Sequence, residues 1–183
     1  MISYNTGIRI AQLSFAVTIF GLSVALARGQ VIESVPSETL YAVFVGGLGI
    51  VAALLGVAAT SESSQNGPLN WVVDGVTGLA LLVGGIVFAV RLRRARCSSW
   101  FTTYHNVLLC GGCNYDSQGI RSNCWYDSAH LKSRCFSAIA DTVFMFLAFV
   151  VCIGALVATD ARGARRSWRP IWRTQRVQLK VEQ

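Results

Sequence analysis

Four long apolar runs, parted by short polar segments and one long one, set the pattern of this chain. Residues 8–27, 40–59, 71–90 and 138–159 carry almost no charge. A helix rises about 1.5 Å per residue, so each run is long enough for a hydrocarbon core of roughly 30 Å. The third run, WVVDGVTGLALLVGGIVFAV, is the clearest. Its single carboxylate is Asp74, and it lacks the polar stripe that a helix on the surface of a soluble protein shows at period 3.6. Trp71 marks one end and Arg91, Arg93, Arg94 and Arg96 mark the other, the residues that membrane–water interfaces favour. The pattern predicts an all-α fold, a four-transmembrane-helix antiparallel bundle over residues 1–160, followed by a basic tail at 161–183.

Within the first run, Arg9 and the small residues around Ala25-Leu26-Ala27 would suit a cleaved leader. The apolar stretch from Ile10 to Ala27 exceeds the usual leader core of about 7–15 residues, so it reads as a retained span. The second run is rich in small residues, among them Gly46, Gly49, Ala53 and Gly56, and the third holds Ala80 and Gly84. The pairs Gly49–Ala53, Ala52–Gly56 and Ala80–Gly84, each at four-residue spacing, form faces on which helix backbones approach closely in lipid. The turn Thr60–Asn70, broken by Gly67-Pro68, is short enough to make spans two and three antiparallel neighbours. Cys97–Ser137 is the longest polar segment. In the tail, Pro170 and the absence of apolar periodicity argue against a long regular helix.

Composition agrees with a membrane protein. The chain is 53% hydrophobic and only 14% charged, against about 25% charged in ordinary soluble domains. Its net charge of +7 gathers in two arginine-rich patches beside apolar runs, which points to anionic lipid headgroups rather than nucleic acid. No phosphate loop, HExxH or GxSxG pattern implies a cofactor or a catalytic metal. Basic residues divide equally between the two sides of a four-span topology, so the positive-inside rule returns a tie. Five of the six cysteines lie between spans three and four, a density that suits an oxidising compartment. This places the long loop outside the cytoplasm and both termini inside.

Candidate chemistry is sparse. Asp74 and Asp141 are intramembrane carboxylates, which are costly and point to function. Each stands near the start of its span, in opposite leaflets and on the order of 20–30 Å apart, so the two do not form a catalytic dyad. They read as interfacial groups, with an ion pair expected between Arg9 and Asp74. Cys110-Gly-Gly-Cys113 has a metal-knuckle or redox spacing, with His105, Cys124 and His130 nearby. Disulfides explain these cysteines more simply: Cys97 with Cys135, and Cys124 with either Cys110 or Cys113. No metal site follows. In the tail, Arg162, Arg165, Arg166, Arg169 and Arg173 interleave with Trp168 and Trp172, a combination suited to a headgroup layer.

Certain residues resemble those of a known family. These are Arg9, Gln12 and Phe15 with Gly21-Leu22-Ser23 and Ala27-Arg28-Gly29 in the first span, Asp74-Gly75 in the third, Ala140-Asp141-Thr142 and Phe144 in the fourth, and Cys97 and Cys135 flanking the long loop. With four spans and two short loops, the chain resembles MARVEL-domain tetraspan proteins, and is most similar to the fungal branch of non-classical-export and plasma-membrane organisers. The resemblance implies a non-enzymatic protein of the plasma membrane, or another secretory membrane, that associates laterally as a homo- or hetero-oligomer and organises lipids and proteins. The alternative is a small membrane enzyme, a cyclase or transferase on a lipid or prenyl substrate, with Asp74, Asp141, Tyr104, His105 and His130 as its candidates.

Overall fold

The computed structural model describes residues 4–30, 35–61, 67–93, 95, 97–98, 106, 108–110, 113–115, 121–124 and 128–181. Four helices dominate: α1 (Tyr4–Arg28), α2 (Ser37–Ser61), α3 (Gly67–Leu92) and α4 (Ser128–Val181). Each contains a stretch long and apolar enough to cross a membrane, over Thr6–Arg28, Ser37–Ala58, Trp71–Leu92 and His130–Ala158. In lipid a spanning backbone must satisfy its own hydrogen bonds, and a helix does so within one segment. α1 packs on α2 and α4, and α3 packs on the same two helices, giving a four-sided ring in which chain neighbours run antiparallel.

The bundle carries its polarity inside and its apolar surface outside. Phe44, Leu79, Val150 and Val157 are each more than 60% exposed, whereas Arg9, Gln12, Asp74 and Asp141 are almost wholly buried. A soluble bundle shows the reverse. Ile19, Leu26, Ala42, Val45, Leu81, Phe88, Met145 and Ala148 fill the centre.

Three features differ from the sequence pattern. α4 begins at Ser128, ten residues before the expected Ala138, and so takes in the end of the expected loop. Leu131, Arg134, Cys135, Ala138, Asp141, Thr142, Met145 and Ala148 form one buried stripe at three- and four-residue spacing. Lys132 and Arg134 lower the local hydropathy and conceal that stripe from a search for apolar runs. At its other end α4 runs on through Pro170 to Val181, so the tail that was expected to be irregular continues the fourth span as helix. The span already supplies the nucleus, which is the costly step, and Arg, Gln, Leu and Lys propagate a helix well. Thirdly, the long connection holds two strands that no alternation announced, β1 (Cys113–Tyr115) and β2 (Arg121–Cys124). They pair antiparallel, so the fold is a helical bundle with one small ribbon attached.

Proline and glycine mark the helix ends. The Pro36 carbonyl accepts from the amides of Thr39 and Leu40 and starts α2. Gly67-Pro68, expected as a turn, instead opens α3, where a missing proline N–H leaves no helical bond unmade.

Candidate functional site

Two polar stations lie inside the bundle, and a third closes its loop end. The first begins on α1, where Arg9 and Gln12 are three residues apart and so share a face. The Arg9 guanidinium grips Asp74 of α3 as a fork, with Nη1 donating to Oδ1 and Nη2 to Oδ2, both at 2.6 Å. Arg9 Nη1 also donates to Gln12 Oε1 at 2.8 Å. Gln12 Nε2 in turn donates to Asp74 Oδ1 at 3.0 Å and reaches Cys152 Sγ of α4 at 3.5 Å. α2 contributes space: a Cβ at Gly56 would lie 2.5 Å from both Cζ and Nε of Arg9. All four helices thus take part. Asp74, near the start of its span, is 1% exposed and so is enclosed by the other helices. The small residues of α2 let that helix close over the charge pair.

The second station joins α1 to α4. Ser23 donates its hydroxyl to Asp141 Oδ2 at 2.7 Å, and Thr142 returns its own hydroxyl to the Ala138 carbonyl at 2.8 Å. Asp141 is fully buried, and its Oδ1 has no hydrogen-bond partner among the described residues. The extra turns at the start of α4 move Asp141 well inside its helix, which corrects its expected place at the edge of the span. Gln12 and Ser23, which hold the two aspartates, stand eleven residues apart on α1. The stations are therefore on the order of 16 Å apart along the helix, closer than the expected transbilayer distance but far beyond the reach of one proton transfer.

The third station is centred on Arg134, a residue the sequence offered only as one more loop cation. Its Nη1 donates to the Leu26 carbonyl at 3.0 Å, one of the carbonyls left without an intrahelical partner at the end of α1. Nε donates to Leu109 O at 3.1 Å, while Nη2 donates to Leu108 O and to Gln30 Oε1, both at 3.3 Å. The cation also faces the negative end of the α1 dipole. Beside it, Cys97 and Cys135 form a disulfide with a Cα separation of 5.6 Å. Asn106 completes the clamp, donating from Nδ2 to the Arg91 carbonyl at 2.8 Å and accepting from the Leu108 amide. The signal in the sequence was the position of Arg134 seven residues before Asp141, on the buried stripe of α4.

The remaining candidates divide. Gly46 meets the Phe20 backbone and Gly49 the Ala16 side chain, so α1 and α2 touch almost backbone to backbone. Ala53 is fully buried, the Ala80 carbonyl accepts from Tyr41 Oη at 3.1 Å, and Gly84 lies against Met145 and Tyr41. These seams join helices of one chain. Cys110 is buried at the loop end, and neither it nor Cys152 is in a disulfide. His130 is exposed at the start of α4, while Tyr104 and His105 lie outside the described residues. The described residues contain no group of three or more potential metal ligands. The side chains of Arg162, Arg165, Arg166, Trp168, Arg169, Trp172 and Arg173 also lie outside the described residues, on the helical backbone that continues α4.

Four antiparallel apolar helices locked by interior polar stations define an integral, multi-pass membrane protein. The profile of the MARVEL family, described as a membrane-associating domain, matches residues 1–158, and the chain belongs to that family. Comparisons with curated proteins and with solved structures find no match.

Proposed function

We propose that this protein is a non-enzymatic tetraspan organiser, which uses its MARVEL bundle as a rigid membrane anchor and its basic tail as a tether to anionic lipid. The observation that carries this reading is the cluster of basic residues that begins only four residues beyond the end of the fourth span. The fourth span ends at Ala158, yet the helix extends to Val181, a further length of roughly 35 Å at helical rise. Arg162, Arg165, Arg166, Arg169, Arg173, Arg176 and Lys180 all fall in this extension. Each basic residue within a Debye length of an anionic surface contributes about 1 kcal/mol, so Arg162, Arg165 and Arg166, in the first turns beyond the span, hold the start of the extension against such a leaflet. The interior supports the same reading. Arg9, Gln12 and Asp74 hydrogen-bond one another and tie α1 to α3, as a scaffold requires.

In this proposal the termini are cytoplasmic, the loop between α3 and α4 faces outward, and the membrane is the plasma membrane or one on the route to it. Lateral partners, whether copies of this chain or other proteins, meet the exposed apolar faces. This reading takes the fungal organiser branch of the family as its functional analogue.

Full-length protein in nanodiscs tests the tether. Intrinsic tryptophan emission should shift to the blue when phosphatidylserine replaces part of the phosphatidylcholine, and high salt should reverse the shift. A variant with Arg162, Arg165, Arg166, Arg169 and Arg173 all changed to Gln should show no shift. Identical spectra in neutral and anionic discs would remove the proposal.

A further inference from the structure

The CxxC run contains the strongest unassigned feature. Its two cysteines belong to different parts of the fold. Cys110 is seated in the bundle end: its amide donates to the Asn106 carbonyl at 2.9 Å, and the two residues before it are held by Arg134. Cys113 opens β1, and its Cα partner across the ribbon is Cys124, the last residue of β2. Cys110 and Cys113 are thus held by different elements, and the register gives Cys113 a different cysteine as its neighbour.

Directly opposed residues of an antiparallel pair have Cα atoms about 4.5–5.5 Å apart. A disulfide bridges Cα separations of about 4.4–6.8 Å, so the register alone brings Cys113 and Cys124 within bonding range. The ribbon also calls for a fastening. Its strands have three and four residues, and isolated two-stranded ribbons are marginal in water. The register slips just beyond the pair, where Asn114 opposes Ser122 and Asn123 is left as the extra residue of a bulge. The ladder therefore gives the Cys113 end of the ribbon little support.

We propose that Cys113 and Cys124 form a second disulfide, so that the connection between α3 and α4 is cross-linked twice: at its base by Cys97–Cys135 and across the ribbon by Cys113–Cys124. Cys110 keeps its thiol. Formation is a two-electron exchange in which the two thiols lose two protons and two electrons to a protein disulfide of the secretory route, itself reduced to a dithiol. The competing bond, Cys110 to Cys124, would draw Cys110 out of its buried seat and strain the Arg134 clamp. The cross-link makes the ribbon a preformed feature of the loop, available to a partner without an ordering cost.

The inference rests on the loop facing an oxidising compartment, and Cys97–Cys135 reports on that independently. Full-length protein is acid-quenched in cells, denatured, blocked with light maleimide, reduced, and blocked again with heavy maleimide. Mass spectrometry should find light label on Cys110 and Cys152 and heavy label on Cys97, Cys113, Cys124 and Cys135. In Cys113→Ser, Cys124 should move to light label; in Cys110→Ser it should stay heavy. Cys124 moving to light label in Cys110→Ser would overturn the pairing. So would light label on Cys113 and Cys124 beside heavy Cys97 and Cys135, with the outward placement of the loop left standing. Light label on all six cysteines would overturn that placement and the pairing together.

Discussion

Arg9 and Asp74 show how a charge is tolerated in this interior. Removing two ions from water is expensive, and the bidentate fork offsets that cost only while both partners remain. Arg9→Leu or Asp74→Leu alone should therefore destabilise the protein by about 3–5 kcal/mol, because an unpaired charge is left buried. The double variant should lose less than the sum of the two. Thermal unfolding in detergent, followed by size-exclusion fluorescence, measures the difference; additive losses would mean that the pair is not coupled. Gly46 and Gly75 make a second comparison at this scale. A Cβ at Gly46 would fall 2.8 Å from the Phe20 backbone nitrogen, so Gly46→Ala must push α1 from α2, with a loss of about 1–3 kcal/mol. Nothing lies within 4 Å of the same atom at Gly75, and Gly75→Ala should be neutral or slightly stabilising through helix propensity. The Arg9–Asp74 contact was legible in the sequence because both residues sit near the same end of facing spans. Their burial was not, since it depends on the missing side chain at Gly56, forty-seven residues away from Arg9.

Among the elements, α4 carries most of what a search for apolar runs does not find. In its first ten residues Leu131, Arg134 and Cys135 form a buried face, while Lys132 and Phe136 are exposed. Arg134 uses that helix to hold the 108–110 segment and the end of α1 in place. Arg134→Gln should loosen this segment while leaving Cys97–Cys135 intact. Limited proteolysis of intact proteoliposomes should then cut the loop several-fold faster, with no change in the non-reduced disulfide map. Cys97→Ser acts differently. The disulfide closes a loop of 38 residues, and its loss should cost about 4 kcal/mol in the chain-entropy account. The same melting assay, with reductant added to both proteins, should bring wild type down to the variant, because neither then holds a disulfide. β1 and β2, with the sequences CNY and RSNC, are too short and too polar to show an alternating apolar pattern.

For the whole molecule, sidedness is the property that fixes which compartment meets which station. Asp116→Thr completes an Asn-x-Thr acceptor at Asn114, and the proposed topology predicts one glycan on that variant in a eukaryotic host. An enzyme-sensitive shift on a gel reads it out; glycosylation of an acceptor appended to the tail instead would reverse the orientation. The number of spans, their helical form and the membrane class follow from the sequence alone. The reason is local: a run of about twenty apolar residues in lipid must satisfy its own backbone, and a helix is the only way one segment does so. Which polar groups those helices enclose was decided by the tertiary structure. Arg9 meets Asp74 across 65 residues, Ser23 meets Asp141 across 118, and Arg134 reaches Leu26 across 108. Such contacts depend on helix rotation and on where glycine lets backbones close, and no window along the chain contains both partners.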